Sequence, residues 1–240
     1  LDASGVVANV NTTGLTAAQI VAANGTAGAV TFTTAVTDKD VTIKTGNGDD
    51  VIVATSVGTA AGVTAGATIT TGAGADYVVG GADNDTIDTG SENDWVDASA
   101  GADTITLGAG NDTYQLSDTS LSVLAKYDTI TDFSANTYGF GTAGAANNQG
   151  ANLSDATKVT GDVIDLSWVL GATGIDVLVV TNAADAQTFI QNTGNNTTDT
   201  GIALDSSSNL LYVDVNSDGV IDSVVKLTGV TTITEAAFAI

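Results

Sequence analysis

The sequence predicts an all-β protein whose central part is a coil of short strands, and two observations lead to that prediction. The apolar residues of the 240-residue chain are mainly Val, Ile and Ala, set among Thr and Gly, which suits short strands and tight turns. Nine-residue segments with one shared pattern also recur at a fixed period. Since the chain is 43% hydrophobic and 14% charged, the disorder that is typical of acidic, apolar-poor chains is excluded.

Six nonapeptides share the pattern, one starting at Thr45 and five running without a break from Thr71. They read TGNGDDVIV, TGAGADYVV, GGADNDTID, TGSENDWVD, ASAGADTIT and LGAGNDTYQ. Position 6 is aspartate in every copy: Asp50, Asp76, Asp85, Asp94, Asp103 and Asp112. Position 8 is large and apolar in every copy: Ile52, Val78, Ile87, Val96, Ile105 and Tyr114. Position 2 is glycine in five copies and position 4 in four, with Asp83 and Glu92 as the position-4 exceptions.

Each copy predicts a glycine-rich turn over its first six residues and a short strand over its last three. The middle strand residue points inward, and two copies close one coil of eighteen residues. Equivalent turns then stack at the strand spacing of about 4.8 Å. Asp76, Asp94 and Asp112 therefore fall in one column, and Asp85 and Asp103 in the other.

Stacked carboxylates need a cation between them. Two carboxylates about 5 Å apart repel by roughly 1 kcal/mol in water and by several times that near a protein surface. A divalent ion reverses the sign of this interaction, and a site made of oxygen donors alone favours calcium over transition metals. We therefore expect the repeats to be unfolded or loose without calcium and to fold as calcium binds.

Composition and charge exclude several classes of function. Lys and Arg total 5 against 28 Asp and Glu, which gives a net charge of −23 and excludes nucleic acid and anionic membranes as partners. Without Cys or His the chain has no disulfide, no zinc finger and no Ser-His-Asp triad, so we expect it not to be an enzyme. No apolar run approaches the roughly 18 residues of a membrane span. The chain starts at Leu1 without a methionine or signal peptide, which predicts a piece of a longer polypeptide.

The nonapeptides resemble the GGxGxDxUx repeat of RTX proteins, which form calcium-binding right-handed parallel β-rolls. The segments YDTITDF (127–133) and GDVIDLSWV (161–169) are similar to those that follow the roll in secreted RTX proteins. The resemblance implies that the position-6 aspartates and the main-chain carbonyls at positions 2 and 4 hold several Ca²⁺ ions. Those carbonyls belong to Gly72, Gly74, Gly81, Asp83, Gly90, Glu92, Gly101, Gly108 and Gly110. At Asp83 and Glu92 the carbonyls remain, but the turns are expected to be strained or to gain a carboxylate.

Upstream of the contiguous repeats, GVTAGATIT (62–70) has Ala67 where the aspartate belongs, which predicts a metal-free rung. We expect Ala67 to be the column neighbour of Asp50, which leaves the role of Asp50 as a calcium ligand open. AVTFT (29–33) and DVTIK (40–44) predict strands that continue the coil as a cap, whereas LTAAQIVAA (15–23) fits a short helix or a rung equally well.

The predicted organisation is N-terminal solenoid or capping strands over 1–44, the calcium-binding roll over 45–133, and a C-terminal β region over 134–240 that carries a type I secretion signal. Within the last region, residues 136–159 predict an inserted Gly/Ala/Asn-rich loop and residues 185–192 a short helix. The terminal TITEAAFAI, an acidic residue followed by apolar ones, resembles the uncleaved signals of type I secretion substrates.

DVNSDGVID (214–222) allows two interpretations. It resembles the first nine positions of an EF-hand loop, but the twelfth position is Val225 in place of a bidentate glutamate, so a β-hairpin around the Asn-Ser-Asp-Gly turn is favoured. Whether this loop binds calcium stays open. Trp95 and Trp168 are predicted to be apolar anchors, and although Trp95 falls at an outward strand position, burial in the core is the favoured interpretation.

The function predicted first is structural: the C-terminal RTX part of a bacterial surface layer (S-layer), in which calcium drives folding and lattice assembly. The Thr/Ala/Gly/Asp-rich composition without Cys, His, Met or Pro is similar to that of surface-layer proteins secreted by a type I system. The predicted partners are calcium, further copies of the chain and the secretion machinery, and the predicted location is extracellular, at the cell surface. The alternatives are the secretion and folding module of an RTX exoenzyme, such as a serralysin-like protease or a lipase, and an RTX adhesin.

Overall fold

The structure is a computed structural model with two compact units, Leu1–Gln115 (unit 1) and Leu116–Ile240 (unit 2), each taken by itself below. It describes residues 9–11, 19–22, 31–33, 40–54, 65–117, 126–135, 161–166, 174–193, 199–216 and 218–239. The predicted loop at 136–159 and Trp168 lie outside the described residues. Parallel strands dominate, and the all-β roll predicted from the repeats is confirmed.

Unit 1 consists of short strands that alternate between two parallel sheets. In chain order they are β1 (Asn9–Asn11), β2 (Gln19–Ala22), β3 (Thr31–Thr33), β4 (Val41–Lys44), β5 (Val51–Val53), β6 (Ala67–Ala73), β7 (Tyr77–Val79), β8 (Thr86–Ser91), β9 (Trp95–Asp97), β10 (Thr104–Thr106) and β11 (Thr113–Gln115). The odd-numbered strands follow one another in one sheet and the even-numbered strands in the other. A chain that switches sheets at every turn is a coil, as the repeat pattern predicts.

The strand register confirms the eighteen-residue coil. Ile87 pairs with Ile105 and Val78 with Val96, each eighteen residues further along the chain. The coil between the first copy and the contiguous copies is longer, because Ile43 pairs with Ile69 and Ile52 pairs with Val78, both at a spacing of 26 residues. The coil also extends upstream of the repeats.

Upstream, β2 pairs with β4 and β3 pairs with β5, all in parallel. Residues 19–22 are thus a rung of the coil, which decides between the helix and the rung for that segment. The strands predicted at 29–33 and 40–44 continue the coil as expected, with β3 and β4 as their described parts.

The interior of unit 1 is a stack of the position-8 side chains. Each is at most 1% exposed, and they are Ile52, Val78, Ile87, Val96, Ile105 and Tyr114. Each Val or Ile buried in this way contributes on the order of 1.5–3 kcal/mol through removal of apolar surface from water. The alternation of exposed and buried residues along strands such as β4 is the two-residue period that a one-sided sheet requires.

The two outward faces of unit 1 differ in chemistry. The even-numbered strands present an in-register row of exposed threonines, Thr42, Thr68, Thr86 and Thr104. The odd-numbered strands present Val51, Tyr77 and Trp95 at the equivalent register positions. One face is therefore lined by hydroxyl groups and the other by apolar and aromatic groups.

Unit 2 contains strands, one α-helix and one 3-10 helix. They are β12 (Asp128–Ile130), β13 (Val163–Asp165), β14 (Gly174–Val180), α1 (Ala183–Thr193), β15 (Asp199–Asp205), β16 (Leu210–Asp214), β17 (Ser223–Leu227), the 3-10 helix Glu235–Ala237 and β18 (Phe238–Ala239). One sheet has the order β14-β15-β16-β17-β12, in which β16 is antiparallel to both of its neighbours, and β13 pairs in parallel with β18. The helix predicted at 185–192 is confirmed by α1.

The helix α1 packs on one face of this sheet through Ala186 and Ile190, which contact Val180 and Tyr212 in a buried apolar cluster. The β-hairpin predicted around residue 216 is also present, because β16 and β17 are antiparallel neighbours. No helix in the described ranges is long and apolar enough to cross a membrane.

Candidate calcium sites

The position-6 aspartates are buried, which distinguishes them from ordinary turn residues. All six are between 1% and 3% exposed: Asp50, Asp76, Asp85, Asp94, Asp103 and Asp112. Aspartate is common in turns because its side chain is solvated there and bonds to the local main chain. Such an explanation fails here, because ionised carboxylates avoid the interior unless something compensates their charge.

The first column of aspartates is ordered by hydrogen bonds between successive coils. The N–H of Asp50 donates to Oδ1 of Asp76 at 2.8 Å, and the N–H of Asp76 donates to Oδ1 of Asp94 at 2.8 Å. The N–H of Asp94 donates in the same way to Oδ1 of Asp112 at 2.9 Å. Each coil thus supplies the acceptor for the coil before it, and Asp76, Asp94 and Asp112 lie in one column as predicted.

The second column follows the same rule. The N–H of Asp85 donates to Oδ1 of Asp103 at 2.7 Å, which confirms that these two residues share a column. The N–H of Ala67 donates to Oδ1 of Asp85 at 2.6 Å, so the Ala67 rung belongs to this column and brings no carboxylate to it.

The expectation that Ala67 is the column neighbour of Asp50 is wrong. The neighbour of Asp50 is Asp76, because β5 pairs with β7 and the N–H of Asp50 reaches the Asp76 carboxylate. The physical reason is the coil of 26 residues. The strand with Ala67, β6, pairs with β4 in the even-numbered sheet, so the strand that pairs with β5 is β7, which directly follows Asp76. Asp50 therefore begins the first column, and it faces an aspartate rather than a metal-free rung.

The second carboxylate oxygens of the first column carry the strongest indication of a cation. Oδ2 of Asp76 and Oδ2 of Asp94 are both buried, and neither accepts a hydrogen bond. A buried polar atom without a hydrogen bond costs about 1–3 kcal/mol, and more when it is charged. A hard divalent cation bound to these oxygens would remove that penalty, so the donor set fits calcium.

Main-chain carbonyls of the turns stack beside the carboxylates. Gly90 has φ +99°, and a Cβ on it would lie 2.0 Å from the carbonyl O of Gly72 in the coil before it. A Cβ on Gly110 would lie 1.9 Å from the carbonyl O of Glu92, and one on Gly101 would lie 2.9 Å from that of Asp83. The position-4 carbonyls thus face the next turn even where aspartate or glutamate replaces glycine, as the resemblance implies.

The two replaced turns differ from each other. Glu92 has φ +82°, a left-handed conformation that side-chain-bearing residues resist, so this turn is strained as expected. Asp83 is not among the described residues with positive φ, and its Oδ2 accepts from the N–H of Ala65 at 3.2 Å. In the described part of the chain no three acidic side chains form a cage, so a cation here would need main-chain carbonyls as well.

Burial raises the pKa of the carboxyl groups of Asp76 and Asp94 in the first column. Loss of hydration on burial raises the pKa of Asp76 to about 6, although the hydrogen bond from the main-chain N–H of Asp50 lowers it. Loss of hydration likewise raises the pKa of Asp94 to about 7, and the nearby negative charges of Asp76 and Glu92 raise it further. These carboxylates are therefore destabilised in their charged form, which is the form that binds a cation.

Acidification is therefore expected to stabilise the calcium-free protein. The folded-state pKa values of Asp76 and Asp94 lie above the unfolded value of 3.8, so the folded state binds protons more tightly. Stability should rise as pH falls from about 8 towards 4, by roughly 2–4 kcal/mol for each carboxylate. Far-UV circular dichroism of calcium-stripped protein at pH 8, 6.5 and 5 measures this as a β signal that increases on acidification. Stability that is flat or falling over this range would contradict the environment described for the first column.

Replacing Glu92 with glycine is expected to stabilise the calcium-loaded protein. The change removes the left-handed strain at φ +82°, for a gain of about 1 kcal/mol. Thermal unfolding with calcium in excess measures the gain as a rise of a few degrees in Tm. Asp83→Gly is the matched control, because Asp83 lacks this strain. A Glu92→Gly protein no more stable than wild type would count against the strained turn.

Trp95 is outward, not in the core. Its ring is half-buried and stacks on Tyr77, with ring centroids 4.4 Å apart and planes 4° from parallel. The interpretation of Trp95 as a core anchor is therefore wrong, since the two-residue period of β9 gives the inward position to Val96. The N–H of Trp95 donates to the carbonyl O of Asp76 at 2.8 Å, so the stack lies beside the first column.

In the loop that resembles an EF-hand, aspartate side chains accept hydrogen bonds from main-chain N–H groups of the same loop. Asp214 is fully buried, its Oδ2 accepts from the N–H of Gly219 at 2.8 Å, and the N–H of Val215 donates to Oδ2 of Asp222 at 2.9 Å. The connection between β16 and β17 covers residues 215–222, longer than the tight turn expected at Asn-Ser-Asp-Gly. Calcium binding by this loop stays an open prediction.

Comparison with known proteins agrees with this geometry. A family model described as the RTX calcium-binding nonapeptide repeat (4 copies) matches residues 36–56, 64–96 and 79–114. These ranges include all six position-6 aspartates. No curated protein matches the chain.

Proposed function

We propose that this chain, an RTX-type repeat protein whose nonapeptides bind calcium, is the calcium-folded C-terminal part of a bacterial surface-layer protein. The observation that carries the proposal is the first column, where buried carboxylates stack and Oδ2 of Asp76 and Asp94 accepts no hydrogen bond. Calcium is then a structural component of the protein rather than a regulator of it. The chain itself is proposed to have no catalytic activity.

Lattice assembly is proposed from charge and composition. At a net charge of −23, copies of the chain repel one another, and divalent ions reduce that repulsion. The apolar and aromatic outward face of unit 1, with Val51, Tyr77 and Trp95, supports self-association, because apolar patches on a sheet are commonly covered by a neighbour. The Thr/Ala/Gly-rich composition supports the same assignment.

Extracellular location and type I export are part of the proposal. Calcium is scarce inside cells, so acidic repeats would stay unfolded during export and fold outside. Extracellular calcium modules tolerate dissociation constants of about 10⁻⁴–10⁻³ M, so weak sites suffice there. The terminal segment with Glu235 followed by apolar residues supports recognition by type I machinery.

The experiment is assembly of the purified chain at millimolar calcium, followed by electron microscopy and light scattering. Ordered two-dimensional sheets that form with calcium and dissolve with chelator are the expected result. Magnesium at the same concentration is the control, because its smaller ion demands near-ideal octahedral geometry. Failure to fold in calcium would contradict the calcium-binding part of the proposal.

The alternative is the secretion and folding module of an RTX exoenzyme. It is supported by the segments at 127–133 and 161–169, which contain β12 and β13. In that case calcium folds the chain, but scattering shows monomers at every protein concentration. The same experiment therefore separates the two functions.

A further inference from the structure

Buried threonines occupy position 1 of the copies that contribute Asp76 and Asp94. Thr71 and Thr89 are both 0% exposed. The Thr71 hydroxyl donates to the carbonyl O of Thr89 at 2.9 Å, and the Thr89 hydroxyl donates to the carbonyl O of Leu107 at 2.7 Å. Each threonine therefore lies inside the coil and links it to the next one.

The same threonines lie against the carboxylates of their own copies. Thr71 is within hydrogen-bonding reach of the Asp76 side chain, and Thr89 is within the same reach of the Asp94 side chain. A hydroxyl has one hydrogen, and here it donates to the main-chain carbonyl of the next coil. The threonine is thus a wall beside the carboxylate, while Oδ2 of Asp76 and Asp94 accepts no hydrogen bond.

The copy with Asp85 shows what happens without that wall. Its position 1 is Gly80, and Oδ2 of Asp85 accepts a short hydrogen bond from the N–H of Gly81 in its own turn. A Cβ on Gly80 would lie 2.8 Å from that same oxygen, which is too close for a real contact. The Asp85 carboxylate therefore occupies the space that a position-1 side chain would fill.

We propose that Thr71 and Thr89 are positioning residues for calcium. Each one prevents the carboxylate of its own copy from turning onto the N–H of the glycine that follows, Gly72 or Gly90, and so keeps Oδ2 directed at the cation. The inference rests on calcium binding by the repeats. It follows that Asp76 and Asp94 bind calcium more tightly than Asp85, which must first give up its bond to Gly81.

The test compares Thr89→Gly, Thr89→Val and Thr89→Ser in the full chain. Terbium replaces calcium and is excited through Trp95, which directly follows Asp94 in sequence. Luminescence lifetimes in H₂O and D₂O count the water molecules on the ion. We expect Thr89→Gly to add about one water and to weaken terbium binding roughly tenfold, the lower end of the effect of residues that orient metal ligands. Valine and serine retain bulk at this position, so both should keep the wild-type hydration.

Thr86→Gly is the matched control, because Thr86 is exposed on the outward face of the same strand. Thr86→Gly introduces the same backbone flexibility into the strand as Thr89→Gly, but it leaves the space beside Asp94 filled. Hydration at saturating terbium separates positioning from stability, since a merely less stable protein would still present the same ligands. If Thr89→Gly does not fold, Thr71→Gly with excitation through Tyr77 makes the same comparison beside Asp76.

Unchanged hydration in the folded glycine variant, or an equal change in Thr86→Gly, would overturn the positioning role. An additional water on terbium in Thr89→Val, but not in Thr89→Ser, would also overturn it. The hydroxyl group rather than the bulk of the side chain would then be responsible. Absence of any terbium or calcium response in the wild-type chain would instead contradict the proposed function. The two failures are therefore distinguishable.

Discussion

Removal of calcium is expected to unfold the repeats of unit 1. Asp76 and Asp94 are 2% and 3% exposed, and each has an Oδ2 that no hydrogen bond stabilises. Successive carboxylates add repulsion of several kcal/mol per pair at the effective dielectric of a protein surface. Because a domain is stable by only about 5–15 kcal/mol, a few such pairs outweigh the packing of the inward Val and Ile side chains.

Circular dichroism and size-exclusion chromatography at pH 8 measure this effect. With a chelator we expect loss of the β signal and a larger hydrodynamic radius, and both should return when calcium is added back. The fluorescence of Trp95 should change together with them, because its stack on Tyr77 requires two coils in register. A chelated sample as folded and as heat-resistant as the calcium-loaded one would contradict a metal-dependent roll.

Asp94→Ala is expected to damage calcium-dependent folding more than Asp50→Ala. Asp94 has an aspartate on both sides of it in the column, since its carboxylate accepts from Asp76 and its N–H donates to Asp112. Its removal leaves the buried N–H of Asp76 without an acceptor, which costs about 1–3 kcal/mol, and alters the ligands on both sides. Asp50 begins the column, and of the residues in the series it adjoins Asp76 alone.

Calcium titrations followed by circular dichroism compare these variants. We expect the midpoint to rise by roughly 10-fold or more for Asp94→Ala and by a few-fold for Asp50→Ala. Asp88→Ala is the control, because it removes the same charge from an exposed position on β8 and should leave the midpoint nearly unchanged. Equal effects of Asp94→Ala and Asp50→Ala would show that the columns are assigned incorrectly.

The period of the repeats was enough to predict the arrangement of the contiguous copies in unit 1. A nine-residue unit with aspartate at position 6 and an apolar residue at position 8 defines which side chain points inward and which coils stack. The burial of Ile87 and Ile105, and the pairing of Asp85 with Asp103, follow from that period alone. Even the carbonyls of Asp83 and Glu92 could be anticipated, because a substitution in a turn changes the side chain and leaves the carbonyl in place.

The column neighbour of Asp50 could not be predicted in the same way. Residues between the first copy and the contiguous copies do not follow the pattern, so Ala67, in the next unit along the chain, was expected to be the neighbour. The structure instead closes a coil of 26 residues and pairs Ile52 with Val78. Register across an interruption depends on strand pairing, and nothing local to the Asp50 copy encodes that pairing.

The repeat pattern makes the aspartates of the five contiguous copies equivalent, but the structure separates Asp85 from Asp94. The difference arises from the residue at position 1, Gly80 in one copy and Thr89 in the other, together with the direction in which the carboxylate turns. The sequence contained a signal, since position 1 alternates between threonine and small residues over four copies. Its meaning depends on side-chain orientation, which a period does not specify.

The two outward faces of unit 1 differ in polarity, so the roll has one polar and one apolar side. The face with the threonine row from Thr42 to Thr104 is readily hydrated, whereas hydration of the apolar and aromatic side chains of Val51, Tyr77 and Trp95 is unfavourable. In a layer where every copy has the same orientation, the polar faces of unit 1 would all point to one side and the apolar faces to the other. In the proposed surface layer, inverting one copy would place this apolar face of unit 1 against water, which costs free energy.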